Sequence, residues 1–142
     1  MKRINLLLIF CVLTLALLTV SCGGDDESTP SFPAEVQLTD ADDGSTVQLA
    51  LRGELIVALA SNPTTGFGWS VGEGSDEGLV LQGEPRYVPA GSTTPVVGAG
   101  GTEVFSFEAE DSGTSRLVLE YRRPFEPDVA PEQTFSVTVE IR

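Results

Sequence analysis

From about residue 35 to the end of the chain, apolar residues recur at every second position, without the three- and four-residue spacing of a helix. The last run is the clearest. Phe135, Val137, Val139 and Ile141 alternate with Thr134, Ser136, Thr138 and Glu140, the pattern of a strand with one buried and one wet face. Leu117, Leu119 and Tyr121 alternate with Arg116, Glu120 and Arg122, broken only by Val118, and Phe105 and Phe107 alternate with Ser106 and Glu108. Earlier strand-like runs cover 36–39, 46–51, 55–60, 67–71 and 79 to about 88, the last interrupted near Glu84 and Pro85. Leu55 to Ala60 is apolar on both faces, which suits a central strand. Clusters of Gly, Pro, Asp and Ser separate the runs. Eight short strands at this spacing predict an all-β, immunoglobulin-like antiparallel β-sandwich, a single domain over residues 35–142 without internal repeats. Its predicted core is Leu55, Val57, Leu59, Trp69, Phe105, Phe107, Leu119, Phe135 and Val137.

Strand order then bears on function. If successive strands run antiparallel, and 79–88 counts as one strand, the connections after odd-numbered strands emerge at one end of the sandwich. Those connections are 61–66, about 89–102 and 123–133, and they hold the least ordinary loop sequences in the chain. The first contains Asn62-Pro63-Thr64-Thr65-Gly66, with Phe67 opening the strand that follows. Asn62 precedes a proline and is pushed out of the helical region, Pro63 locks its own φ, and Gly66 can take a positive φ. The result is a stiff loop with two threonines at its tip. The second contains Gly98-Ala99-Gly100-Gly101 and the third begins Arg123-Pro124-Phe125. Taken singly, each also reads as an ordinary connection: turn chemistry, a flexible hairpin, a strand terminator with a surface arginine. Trp69, inside a predicted strand, reads as core. Three loops presented at one end of a rigid sandwich form the arrangement that binding proteins use.

The amino terminus adds an address. Lys2 and Arg3 precede a nearly unbroken apolar run from Ile4 to Val20, which ends in small residues at Ser21, Cys22, Gly23 and Gly24. This is the pattern of an export signal over residues 1–21. Leu18 to Cys22 resembles a bacterial lipobox, with Thr19 where an aliphatic residue is usual, and so predicts lipidation of Cys22 and a membrane-anchored envelope location. Plain secretion and an uncleaved anchor are the alternatives. Residues 22–34, with Asp25, Asp26 and Glu27, hold too little apolar content to fold and read as an acidic tether. Cys11 lies inside the signal, so the mature chain has no pair for a disulfide and depends on its core for stability.

Charge and composition then exclude several functions. The mature chain carries six arginines against 21 acids, a net charge of −15, with no basic patch for nucleic acid. There is no histidine, so neither a Ser-His-Asp triad nor a Cys-His pair can be assembled, and no zinc set is available. The acidic pairs Asp42-Asp43, Asp76-Glu77 and Glu110-Asp111 sit in turn-like stretches and read as solvated surface. Asp40, Asp42, Asp43 and Gly44 depart from the spacing of an EF-hand loop, leaving calcium a weak reading. The glycines at 98–101 are not followed by a helical pattern, which removes the nucleotide reading. These residues imply no enzyme, metal or cofactor, and a monomer.

In order and spacing, the three loops resemble the chagasin-type inhibitors of papain-like cysteine peptidases, over most of residues 45–141. The motifs are Asn62 to Phe67 with Trp69 after one residue, Gly98 to Gly101 followed by Thr102 to Phe107, and Tyr121-Arg122-Arg123-Pro124-Phe125. Phe125 stands where that family most often has Trp. The resemblance implies a reversible, non-covalent inhibitor whose three loops straddle the protease cleft, with papain-like peptidases as partners. A surface-anchored immunoglobulin-like module that binds another ligand, or serves envelope structure, is the competing class.

Overall fold

The two-residue alternation becomes two sheets facing each other across a single apolar layer. The computed structural model describes residues 31–91, 98 and 100–142; the signal region, Cys22, most of the tether and Ala99 lie outside them. Nine strands follow in order: β1 (Glu35–Thr39), β2 (Thr46–Leu49), β3 (Glu54–Ser61), β4 (Gly68–Val71), β5 (Leu79–Leu81), β6 (Arg86–Pro89), β7 (Gly101–Ala109), β8 (Gly113–Arg122) and β9 (Gln133–Ile141). One sheet has the order β1-β3-β7-β5, with β6 also on β7; the other has the order β2-β9-β8-β4. The nine residues predicted as core are all buried, joined by Leu49, Leu117, Val139 and Ile141. Each sheet therefore turns its apolar row inward, as a half-buried pleated strand must.

The run 79–88 proves to be two strands lying end to end along the same neighbour. β5 pairs Leu79 with Ala109 and Leu81 with Phe107; β6 pairs Arg86 with Val104 and Pro89 with Gly101. Residues 82–85 thus stand opposite only residues 105 and 106, and the two extra residues form a bulge with Gly83 at φ 69°. Both pieces run antiparallel to β7, so the count rises to nine while the direction of the chain is unchanged. Two pairings also depart from a purely antiparallel sandwich: β1 lies parallel to β3 and β2 parallel to β9. The 3-10 turn Asp40–Asp42 carries the chain from one sheet to the other and makes this possible.

The acids of that turn have structural partners. Asp42 accepts from the backbone N–H and hydroxyl of Thr39, Asp40 accepts from the Ala60 N–H in one sheet, and Asp43 accepts from the Ser136 N–H in the other. Among the described residues, no group of His, Cys, Asp or Glu is placed to hold a metal ion.

Register fixes which loops share a pole. Ser61, at the end of β3, and Pro89, at the end of β6, both pair with Gly101 at the start of β7. In the other sheet Gly68, at the start of β4, pairs with Arg122 at the end of β8, and Gln133, at the start of β9, pairs with Tyr121. The connections 62–67, 90–100 and 123–132 therefore leave from one end.

Candidate functional site

The first loop is a single 3-10 turn, Pro63–Thr65, closed on both sides. Asn62 before it stands outside the helical region, at φ −137° and ψ 85°, as the proline that follows favours, and Gly66 after it is left-handed at φ 79°. The Thr65 N–H donates to the Asn62 carbonyl at 3.1 Å and the Gly66 N–H to the Pro63 carbonyl at 3.0 Å. Both threonine hydroxyls also bond within the loop: Thr64 Oγ1 donates to Asn62 Oδ1 and Thr65 Oγ1 to the Asn62 carbonyl, each at 2.7 Å. Pro63, Thr64 and Thr65 are exposed. With their protons engaged, the two hydroxyls present lone pairs to a partner and so serve it as acceptors.

The loop is held from below by aromatic rings. The Tyr121 hydroxyl accepts from the Asn62 N–H at 3.0 Å, and the Tyr121 ring meets those of Phe67 and Trp69 at centroid distances of 5.3 and 5.1 Å. Trp69 is buried as predicted, and its indole N–H donates to the Ala60 carbonyl at 2.9 Å. Phe67 is half-buried, stacked between Tyr121 and the Arg123 guanidinium, which lies 4.5 Å over its ring.

The third loop packs beside the first. Phe125 is 69% exposed, and a side chain at Gly66 would begin 3.5 Å from its ring. Arg123 is half-buried and pairs with Glu126 at 3.4 Å, so its cation is spent largely inside the site. Arg122 donates to the Val129 carbonyl at 3.4 Å and folds the rest of the loop back, which leaves Val129 57% exposed next to Phe67 and the arginines. In the second loop, Gly98 is exposed at φ 84°, and Gly100 lies with its would-be side chain 3.4 Å from the Ser61 carbonyl, against the base of the first loop. A side chain at Gly101 would run into the Val88 carbonyl and the Tyr87 ring, so close backbone approach requires glycine there.

The described residues predicted for the site thus lie at one pole: Asn62 to Phe67, Gly98, Gly100, Gly101, and Arg123, Pro124 and Phe125. Ala99 falls outside the described residues. Sequence reasoning did not single out Tyr121 as the post beneath Asn62, and it placed Glu126 and Val129 in the third loop without assigning either a contact there. The inward alternation of β8 places Tyr121 in the core face, but nothing local marks its hydroxyl as reaching Asn62. Val129 stands in a loop with no period to read.

Among the described residues, the pole presents exposed tips of the first and third loops without a nucleophile-base pair, which suits docking into a concave partner. Comparison with known proteins agrees. The model of the chagasin family of peptidase inhibitors, I42, matches residues 48–139. Chagasin from Trypanosoma cruzi is 36% identical over 105 residues, covering 71% of this chain and 93% of chagasin. Among solved structures, the cysteine protease inhibitor EhICP2 from Entamoeba histolytica superposes with a TM-score of 0.66 at 22% identity, covering 76% of this chain and 96% of that one. PbICP-C, solved in complex with falcipain-2, gives 0.51 at 17% identity, covering 79% and 95%. At these identities the two structures bear on the fold.

Proposed function

This chain belongs to the chagasin family of peptidase inhibitors, and we propose that it is a reversible, non-covalent inhibitor of papain-like cysteine peptidases. The supporting observation is the shared pole, where the locked Pro63–Thr65 tip stands beside the exposed Phe125. A papain-like cleft is long and concave with its reacting groups at the middle, so blocking it requires a wedge and flanking supports. The threonine turn supplies the wedge. Phe125 on one side and the glycine loop on the other supply the supports.

The same geometry explains inhibition without turnover. A substrate must lie extended with one face of its carbonyl open to the attacking thiolate at roughly 3 Å and its oxygen in a donor-lined site. Residues 63–65 are coiled into a turn by two backbone bonds and two hydroxyl bonds. Reaching the extended pose would break all four. The family is one of inhibitors, and the loops carry no electrophile other than ordinary peptide carbonyls, so binding ends without a stable covalent adduct. Binding to a protease whose catalytic cysteine is replaced by alanine tests this directly: it should survive the replacement, and a strict requirement for the thiol would contradict it.

We propose in addition that Cys22 carries lipid and ties the domain to a membrane of the cell envelope. Leu18 to Cys22 supports the modification. The arrangement of the domain is compatible with it. Pro33 and Ala34 are bonded through their carbonyls to the N–H groups of Ala50 and Glu54, at the pole opposite the loops, so a tether entering there leaves the loops unobstructed. Cys22→Ser should release the protein from the membrane fraction; unmodified Cys22 in a membrane-bound mature chain, read by mass spectrometry, would contradict the proposal.

A further inference from the structure

The inward row of β7 ends in a charge. Residues 101, 103, 105, 107 and 109 share one face of the strand. Phe105, Phe107 and Ala109 are buried in the core, while Glu103, next on that row, is half-buried directly beneath the loops. A carboxylate on the apolar row of a central strand is unfavourable unless it accepts hydrogen bonds. Glu103 crosses the gap between the sheets, and its Oε2 accepts from the Trp69 backbone N–H at 3.2 Å. β4 is an edge strand of only four residues, so one row of its amides has no neighbouring strand to receive it.

The bond to Trp69 closes a continuous path. Glu103 is two residues beyond Gly101, where the second loop ends. Trp69 is bonded through its indole to Ala60 and packed on Tyr121, and Tyr121 receives the N–H of Asn62, the first residue of the first loop. We propose that Glu103 is a positioning residue: by holding the Trp69 amide it fixes the first loop relative to the second. Only the effect on inhibition rests on the protease-inhibitor reading; the coupling between loops is a property of the free protein.

The experiment compares Glu103→Ala with Glu103→Gln in the mature chain. Its first readout is the amide spectrum of the free protein, in which Trp69 also gives a single indole signal because the chain has one tryptophan. Glu103→Ala should shift the Trp69, Asn62, Thr64 and Thr65 resonances. Glu103→Gln, whose side-chain carbonyl still accepts, should return them toward the original positions. Its second readout is the inhibition constant against papain, which should rise about tenfold in Glu103→Ala, as expected for losing a charge-assisted bond that pre-orders a loop, and much less in Glu103→Gln. Val139→Ala, a core truncation away from this path, separates stability from positioning: it should lower Tm and leave the inhibition constant unchanged. If Glu103→Ala does not fold, Glu103→Asp, which keeps the charge but withdraws it by one methylene, carries the same two readouts. Unchanged loop resonances in the acceptor-deficient variant, a glutamine variant as impaired as the alanine one, or an equal loss of inhibition in Val139→Ala would overturn the proposal. A wild-type chain that fails to inhibit papain would count against the function proposed above, while the resonances would still decide the coupling.

Discussion

Phe125 is the residue on which the contact surface of the third loop most depends, being, among the described residues, the most exposed large apolar side chain at the pole and lying against Gly66. Phe125→Ala should weaken inhibition by about 1–3 kcal/mol, the range of an interface anchor, with Tm unchanged. Thr46→Ala, on the outer strand β2, should leave the inhibition constant where it was. Arg123 acts differently, because its guanidinium is stacked on Phe67 and paired with Glu126. Arg123→Lys should therefore fail to restore what Arg123→Ala loses, since an ammonium cannot reproduce the flat stack. Gly66→Ala forces a Cβ into a left-handed residue at φ 79° and should lower stability by about 1–2 kcal/mol in urea titration. The restrictions at Asn62, Pro63 and Gly66 were legible in the sequence because proline and glycine act on their own backbone. The destination of the threonine protons, and the Tyr121 hydroxyl under Asn62, were not: hydrophobic alternation tells which face a side chain takes, not which distant atom it meets.

At the scale of elements, the apolar rows of β3, β7, β8 and β9 could be read directly from the two-residue alternation, and every predicted core residue is buried. Phe135→Ala should cost about 3–5 kcal/mol in denaturant unfolding, because the ring is enclosed between sheets and leaves a cavity when removed. The bulge at 82–85 was only partly legible. Glu84 and Pro85 mark an interruption, but that β5 and β6 continue along one neighbour is a matter of register, which no local pattern records. The parallel pairings of β1 and β2 were hidden for the same reason, since a strand's alternation does not encode the direction of its neighbour. The first loop behaves as an element of its own. Pro63→Gly should weaken inhibition and make the peptide bonds between Asn62 and Phe67 more cleavable together, both following from lost rigidity; mass spectrometry after incubation with active protease reads the second effect.

For the whole molecule, the central claim is that one pole of a disulfide-free sandwich blocks a protease cleft as a rigid wedge. At the level of sequence, the order of strands pointed to the shared pole and the resemblance to chagasin-type inhibitors implied the protease cleft; the register that brings Ser61, Pro89, Gly68 and Arg122 to one end supports the first. The most direct measurement is a titration of papain with the chain from residue 22 onward carrying Cys22→Ser, over a range of substrate concentrations, followed by mass analysis of the recovered inhibitor. The account predicts stoichiometric, competitive inhibition that reverses on dilution, with the bonds between Asn62 and Phe67 intact. Absence of inhibition at stoichiometric excess, or rapid cleavage within that loop, would contradict it.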